Sequence, residues 1–346
     1  MADRVYLDWN ATTPLRPEAR AAMIRAMDAI GNPSSVHSEG RAAKSIIERA
    51  RAQVARGFGA DGADIVFTSG ATEAAALALA GRNLVGAAVE HDAVGAWISA
   101  DLPVDHAGRV RASAGDVLQL ANSETGVIQD LPDGLALVDA TQAWGKIPAA
   151  FNWMGADAAL ASAHKLGGPK GIGCLILRRG TDLPAQLRGG GQEMGRRAGT
   201  ENVFGIAGFG AAVEAAQRDL DAGVWEPVKK LRKILENSIA EVSNQTIFVG
   251  QDAERLPNTS CFATYGWKGE TQVMSMDLAG FAISAGSACS SGKVRASGVL
   301  RAMGYDDEVA GSAIRVSLGP TTTEEDIGRF VDAWTAGYRR FRARAA

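Results

Sequence analysis

The chain contains 346 residues with a formal net charge of −3, and 46% of them are hydrophobic, which is enough for more than one buried core. The charges show no basic excess that would suit nucleic acid, and no apolar run reaches the roughly 20 residues that a membrane-spanning helix needs. The N-terminus lacks the apolar core of a signal peptide. Three widely spaced cysteines, Cys174, Cys261 and Cys289, with no CxxC pair, indicate neither disulfides nor a metal site. We therefore expect a cytoplasmic protein.

The first half of the chain alternates helical and extended patterns. Apolar residues at helical spacing predict helices after Pro17 and around Ile47, followed by a strand at 64–68 and an alanine-rich helix over 71–83. Short apolar runs then predict five more strands, at 86–89, 117–121, 135–138, 158–161 and 174–177. Strands of this kind, some with helices between them, indicate a mostly parallel sheet that is buried on both faces.

The C-terminal part has a different pattern. Helices are predicted over 200–220 and 228–242, strands over 259–265, 280–284 and 314–318, and a closing helix that begins with a capping box of Thr322 and Glu325. We therefore predict an α/β protein with a large lobe, residues 15–250, whose sheet is flanked by helices. Residues 1–14 and 251–346 would form a smaller α+β lobe.

Polar groups that could bind a ligand follow several predicted strands. The amides of Ala71 and Thr72 begin a helix after Gly70, which suits either a phosphate site or an ordinary helix cap. Asp139 and Lys165 each follow an apolar strand, where a charge is costly unless it is paired. Ligands of open α/β sheets bind beyond the carboxyl ends of the strands. A phosphate site, an acid and a lysine together are what pyridoxal 5'-phosphate requires.

The chain resembles the cysteine desulfurases, in the class V aminotransferase group of fold-type I pyridoxal-phosphate enzymes, almost from end to end. The resemblance is carried by motifs in a constant order, which are YLDWNATTP (6–14), GNPS (31–34), FTSGATE (67–73), EH (90–91), ETG (124–126), VDATQ (138–142), SAHK (162–165), GPKGIG (168–173), GGG (189–191), GT (199–200), SAC (287–289) and IRVSLG (314–319). It implies the fold-type I architecture and pyridoxal 5'-phosphate as the cofactor.

The resemblance also implies the roles of five residues around the reacting atoms. Lys165 would bind the cofactor as a Schiff base and then move the α-proton of the substrate. Asp139 would keep the pyridine nitrogen protonated, and Gln142 would bond the phenolic oxygen. His91 would stack on the ring and shuttle protons. Cys289 would be the nucleophile that takes sulfur from L-cysteine.

Other implied roles concern the phosphate, the substrate and the partners. The residues that would hold the phosphate are Ala71, Thr72, Ser162 and His164, with Thr200 supplied by the neighbouring subunit of a homodimer. Arg315 would bind the substrate carboxylate through its bidentate fork. Ser123 stands where the family usually has a second asparagine, and either Asn122 or water would then make that contact to cofactor or substrate.

The surroundings of Cys289 suit a mobile nucleophile. The thiol lies in a Ser/Gly-rich run, 283–293, whose SAGSAC form (284–289) without an HxC pattern resembles the group I branch. A nucleophilic thiol needs a lowered pKa or a nearby base. Cys174 and Cys261 fall in predicted strands and are expected to be core residues.

The implied activity converts L-cysteine to L-alanine and passes sulfur, as a Cys289 persulfide, to an acceptor for iron–sulfur cluster assembly or thio-cofactor synthesis. Two alternatives stay open: a class V aminotransferase acting on alanine, serine or glyoxylate, and a non-catalytic interaction module. The first would not need Cys289, and the second predicts loss of Lys165 or Asp139. The segments 91–122 and 129–139 are shorter than in typical members, so we expect a trimmed helix there. The chain also ends without the longer tail that docks an iron–sulfur scaffold in housekeeping members, which leaves the acceptor undefined.

Overall fold

The computed structural model describes residues 4–286 and 296–345; Cys289 lies outside the described residues. The elements of the N-terminal half are β1 (Val5–Tyr6), α1 (Pro17–Met27), α2 (Ser38–Gly57), β2 (Asp64–Thr68), α3 (Ala71–Leu79), β3 (Leu84–Ala87), α4 (Asp92–Gly95), β4 (Ile98–Leu102), β5 (Val117–Gln119), β6 (Leu137–Asp139), β7 (Ala158–Ser162) and β8 (Gly173–Leu177). The elements of the C-terminal half are α5 (Val203–Asp221), α6 (Trp225–Val242), β9 (Thr246–Phe248), β10 (Thr259–Thr264), α7 (Gly269–Leu278), β11 (Phe281–Ala282), β12 (Ser284–Ala285), α8 (Gly298–Ala302), α9 (Asp307–Ser312), β13 (Ala313–Ser317) and α10 (Glu324–Ala345).

The central sheet has five strands in the order β2-β8-β7-β6-β5. β5, β6 and β7 are parallel neighbours, whereas β8 is antiparallel to both β7 and β2. Four of these five strands therefore run in one direction, and the predicted mostly parallel sheet is confirmed. β8 runs the other way because only residues 163–172 join it to β7, which is too short for the crossover that parallel strands need.

Alternate side chains of the sheet enter two different cores. Ile65 and Ile176 pack with apolar residues of α2 and α5 on one face, whereas Val66 and Leu175 pack with the alanine-rich helix α3 on the other. This alternation follows from the two-residue period of a strand. It explains why the strands read as continuous apolar runs in the sequence.

The C-terminal part forms an antiparallel sheet in the order β12-β13-β10-β9. Its core also contains Val5 and Leu7, because β1 pairs with β11, together with the aromatic side chains of α10, which stack on Trp267. We propose that residues 1–14 belong to this smaller lobe, as the sequence suggested. Apolar residues of α6 pack in the same core, which supports beginning the lobe near Trp225 rather than at residue 251.

Several predicted boundaries differ in the structure. The helix predicted over 71–83 ends at Leu79. The predicted capping box was wrong by one residue: Thr323 Oγ1 accepts from the Asp326 amide at 3.1 Å, and Asp326 Oδ2 accepts from the Thr323 amide at 2.9 Å. Thr322 Oγ1 instead accepts from the Gly319 amide at 3.0 Å and closes the preceding turn.

The segment between His91 and Asp139, which the structure describes completely, contains a single helix, the four-residue α4. The expected trimming of a helix relative to typical family members stays a prediction. Within residues 4–286 and 296–345, none of the helices has both the length and the apolar character that crossing a bilayer requires.

Candidate active site

A cleft of about 650 Å³ opens beyond the carboxyl ends of β6 and β7. Nine of the residues singled out in the sequence line it, namely Ala71, Thr72, His91, Ser123, Asp139, Gln142, Ser162, His164 and Lys165. They come from elements spread over almost 100 residues of sequence, and the common edge of the sheet brings them together.

One side of the cleft suits an anion. α3 begins at Ala71 directly after Gly70, whose φ of 159° leads the chain from β2 into the helix, and the first amides of a helix have no partners within it. Ser162, at the end of β7, stands opposite: its Oγ would lie 3.8 Å from a Cβ on Gly70. Small side chains therefore leave the helix N-terminus open to a phosphate-sized group.

His164 lies on this same side of the cleft, and its imidazole ring is uncharged. Burial, followed by the charges of Lys165, Lys170 and Lys146, lowers the pKa of His164 to about 4. Its Nδ1 is 3.2 Å from Thr12 Oγ1. At neutral pH the imidazole can therefore accept or donate one hydrogen bond without adding a charge of its own.

Lys165 ends a short 3-10 helix, Ala163–Lys165, that directly follows β7. Its Nζ donates to the carbonyl oxygens of Asn10 at 2.7 Å and Ala11 at 3.0 Å. These carbonyls hold the amine at the wall of the cleft, between the large lobe and the N-terminal segment.

Asp139, His91 and Gln142 also line the cleft. Asp139 ends β6, and its Oδ1 accepts from the Thr141 amide at 2.9 Å. His91 caps α4 through Nδ1, which accepts from the Ala93 amide at 3.1 Å, so in the neutral ring the proton is on Nε2. Gln142 Nε2 donates to Asn10 O at 2.9 Å. The backbone thus fixes the orientation of all three side chains.

Arg315, on β13, is 4% exposed and is held by its neighbours rather than placed on the cleft wall. It donates to Asp8 Oδ1 at 2.7 Å and to the Ser123 carbonyl at 3.0 Å. Among the described residues, its Nε is buried without a hydrogen-bond partner, so the guanidinium keeps unused N–H donors. The role of Arg315 in substrate binding stays a prediction.

Asn122 and Thr200 lie away from this cleft. Asn122 Oδ1 accepts from the amides of Glu124 and Thr125 at 2.9 and 2.8 Å, and its Nδ2 donates to Val89 O at 3.0 Å. Its side chain thus holds a turn, whereas Ser123 lines the cleft. Thr200 lies in a separate pocket of about 240 Å³, which is compatible with the predicted contact to a neighbouring subunit.

Glu124 is a site residue that the sequence reasoning did not single out. Its Oε2 lies 2.6 Å from the hydroxyl of Ser297, the N-cap of α8, and would lie 3.4 Å from a Cβ on Gly286. It therefore touches both described ends of the chain around residues 287–295. Burial raises the pKa of Glu124 to about 7, although Ser297 and the Arg315 charge oppose the shift.

This raised pKa predicts a pH-dependent stability. Between pH 4.5 and 7 the unfolded carboxyl releases its proton while the folded one keeps it, so the free energy of unfolding falls as pH rises and levels off above about 7. Glu124→Gln stays neutral. Its stability relative to wild type should therefore be higher at pH 8 than at pH 5, by up to about 3 kcal/mol, as measured by urea unfolding of the apoprotein.

Ser297→Ala is the matched control for this measurement. It removes the hydroxyl and the helix cap but keeps the carboxyl, so it should lower stability at both pH values. Because the Ser297 hydroxyl opposes the rise in the Glu124 pKa, the fall in stability between pH 5 and pH 8 should persist and become somewhat larger. An equal stability difference between Glu124→Gln and wild type at pH 5 and pH 8 would show that Glu124 does not titrate in this range.

The cleft fits pyridoxal 5'-phosphate by the chemistry of its groups. It contains an amine at a strand end, a carboxylate, a helix N-terminus for the phosphate and an uncharged imidazole. Each functional part of the cofactor thus has a partner of suitable chemistry.

Comparisons with known proteins agree with this assignment. The Aminotransferase class-V family matches residues 5–100 and 117–330. The cysteine desulfurase IscS of Dictyoglomus turgidum is 37% identical over 371 aligned positions, covering 96% of this chain and 94% of that protein. A NifS-like protein from Rickettsia africae ESF-5 superposes with a TM-score of 0.88 at 31% identity, over 97% and 99% of the two chains. SspA in complex with cysteine superposes with a TM-score of 0.74 at 26% identity, over 92% and 100%.

The fold and the cleft define a fold-type I enzyme that depends on pyridoxal 5'-phosphate. The chain belongs to the cysteine desulfurases of the class-V aminotransferase family. The fold class, the family and the cofactor predicted from the sequence are confirmed.

Proposed function

We propose that the protein converts L-cysteine to L-alanine and transfers the sulfur to Cys289 as a persulfide. The observation that carries this proposal is the placement of Lys165 and Asp139 in one cleft beside the N-terminus of α3, in a chain whose relatives are cysteine desulfurases. The SAC motif at 287–289 favours desulfuration over amino-group transfer, which needs no thiol.

The residues around the cofactor would divide the work as follows. Lys165 would bind it covalently, Asp139 would pair with its pyridine nitrogen, and Ser162 and His164 would hold its phosphate with the N-terminus of α3. When bound, the cofactor would supply an electron sink for charge that develops on the substrate α-carbon. Lys165 would also be the base that takes the α-proton of the substrate.

Sulfur transfer then needs a thiolate and a proton. The Cys289 thiolate attacks the substrate sulfur, so that an S–S bond forms as the C–S bond breaks. The electron pair of the C–S bond stays with the substrate carbon, which is protonated to give the methyl group of L-alanine. His91, whose Nε2 carries the ring proton, supplies or moves protons beside the ring, and Arg315 orients the substrate carboxylate.

The assembly and partners are part of this proposal. A homodimer would bring Thr200 of one subunit to the phosphate of the other. An acceptor protein would take the persulfide sulfur for iron–sulfur cluster assembly or thio-cofactor synthesis. The sequence has a small net charge of −3 and three widely spaced cysteines with no CxxC pair. These features support a location in the reducing cytoplasm.

The activity is tested with purified protein loaded with pyridoxal 5'-phosphate. L-cysteine should give L-alanine and, under a reductant, sulfide in equal amounts, and a persulfide should be detected on the protein without reductant. L-alanine or L-serine with a 2-oxo acid should give no comparable amino-group transfer. Amino-group transfer without sulfide release would replace this function by that of an aminotransferase.

A further inference from the structure

Lys146 is a buried lysine that the proposed chemistry does not use. It lies four residues beyond Gln142, is 3% exposed, and makes no ion pair with any residue that the structure describes. Its Nζ donates to Gln142 Oε1 at 2.6 Å and, more weakly, to Asn10 Oδ1 at 3.4 Å. A buried amine costs folding free energy unless it is neutral and hydrogen-bonded. A lysine at such a buried position therefore points to a specific role for its amine.

The surroundings favour the uncharged amine. Burial lowers the pKa of Lys146 well below its ordinary value, and the nearby charges of Lys165 and Arg315 act in the same direction. A neutral amine keeps two N–H donors. These match the two oxygen atoms, of Gln142 and Asn10, that Nζ contacts.

The hydrogen bonds around Gln142 define which way its amide points. Oε1 accepts from Lys146, while Nε2 donates to Asn10 O at 2.9 Å. The same carbonyl accepts from Lys165 Nζ at 2.7 Å. If the amide were reversed, its oxygen would face the Asn10 carbonyl oxygen, and the Lys146 N–H that donates to Oε1 would lose its acceptor. Lys146 and the Asn10 carbonyl thus together favour one of the two amide orientations.

We propose that Lys146 is a positioning residue that fixes the Gln142 amide with its N–H end beside Lys165, where it can donate to the phenolic oxygen of the cofactor. This inference rests on the proposed cofactor-binding site. Lys146 is not among the residues that line the cleft, so it acts through the side chains that it contacts, chiefly through the short hydrogen bond to Gln142.

The consequence is spectroscopic. A donor to the phenolic oxygen stabilises its anion, and this oxygen shares a proton with the nitrogen of Lys165 in the resting protein. Loss of the donor should make this proton harder to remove. The pH midpoint at which the visible absorption band of the bound cofactor changes should therefore rise, on the order of 0.5–1 pH unit for one hydrogen bond.

The test is a pH titration of this band in the cofactor-loaded protein without substrate. Lys146→Met should raise the midpoint, and Gln142→Leu should raise it by a similar amount. The double variant should show no additional shift, because both changes remove the same hydrogen bond. Lys146→Gln, which keeps an N–H donor, should move the midpoint back toward the wild-type value. Lys230→Met, at an exposed position of α6, controls for the loss of a lysine elsewhere.

Three results would overturn the inference: a wild-type midpoint in Lys146→Met when Gln142→Leu is shifted, additive shifts in the double variant, or an unshifted Gln142→Leu. Thermal unfolding verifies that each variant is folded, and Lys146→Leu replaces Lys146→Met if the methionine variant is not. The titration uses no L-cysteine, so it can succeed even if desulfuration fails. A wild-type protein that gains no visible band would instead overturn the proposed function.

Discussion

Replacing Cys289 by serine should abolish sulfur transfer and leave the fold and cofactor binding intact. A serine hydroxyl has a pKa far above that of a thiol and does not attack sulfur, so no persulfide should form and sulfide release should fall to background. Cofactor binding depends on Lys165 and Asp139, both of which line the cleft. The measurements are sulfide release with L-cysteine, mass spectrometry of the protein, and the visible absorption band.

Cys174 and Cys261 provide matched controls for this experiment. Both are fully buried; burial raises the pKa of the Cys174 thiol far above its usual range and that of Cys261 to about 12. Cys174→Ser and Cys261→Ser should cost roughly 1–3 kcal/mol of stability, because each buries a hydroxyl in an apolar core, while desulfuration continues. A persulfide on Cys174 or Cys261, with sulfide still released by Cys289→Ser, would refute the assignment of the nucleophile.

Replacing Lys165 by alanine should remove both the covalent link to the cofactor and the turnover of L-cysteine. Nζ is held at the cleft wall by the carbonyls of Asn10 and Ala11, whereas the buried amine of Lys146 donates to Gln142 instead. After dialysis the variant should lack the visible band of the bound cofactor. The loss of activity should be several orders of magnitude, because one residue both binds the cofactor and takes the α-proton.

Lys170→Ala is the control for Lys165→Ala, since Lys170 is an exposed lysine at the same cleft, five residues along the chain. It should retain the visible band. If Lys165→Ala still gave a stable covalent complex after dialysis, another amine would be the attachment point, and Lys170 would be the first to examine.

The sequence predicted the positions of Asp139 and Lys165 well because both follow short apolar strands. Parallel strands end at one edge of a sheet. The side chains at or just after their carboxyl ends therefore lie close together, whatever the details of the packing. The direction of β8 was not specified by its composition, and it follows from the length of the connection to β7. The capping box was displaced because Thr322 and Thr323 are both suitable caps, and the turn at Gly319 engages the Thr322 hydroxyl, which leaves Thr323 to cap the helix.

The roles of Glu124 and Lys146 could not be read from the sequence in the same way. A lysine in AWGKIP (143–148) and a glutamate in SETG (123–126) are ordinary surface residues by composition. Their burial depends on elements far away in the chain: Ser297 for Glu124, and Asn10 for Lys146. Asn122 is the opposite case: the sequence suggested a ligand contact for its side chain, whereas that side chain stabilises the turn at 122–125.

Asn10 has a consequence for the biosynthesis of the enzyme. Its carbonyl accepts from Lys165 and Gln142, its amide nitrogen bonds Ser317 Oγ at 3.0 Å, and its side chain donates to Thr259 Oγ1 at 2.8 Å. Contacts that join residues so far apart form late in folding, because a long loop must close first. During synthesis on the ribosome, Asn10 therefore cannot make its hydrogen bond to Ser317 until β13 has emerged. A nascent chain that contains Lys165 but not yet β13 therefore lacks the Ser317 hydrogen bond that helps to hold the Asn10 carbonyl beside the Lys165 amine.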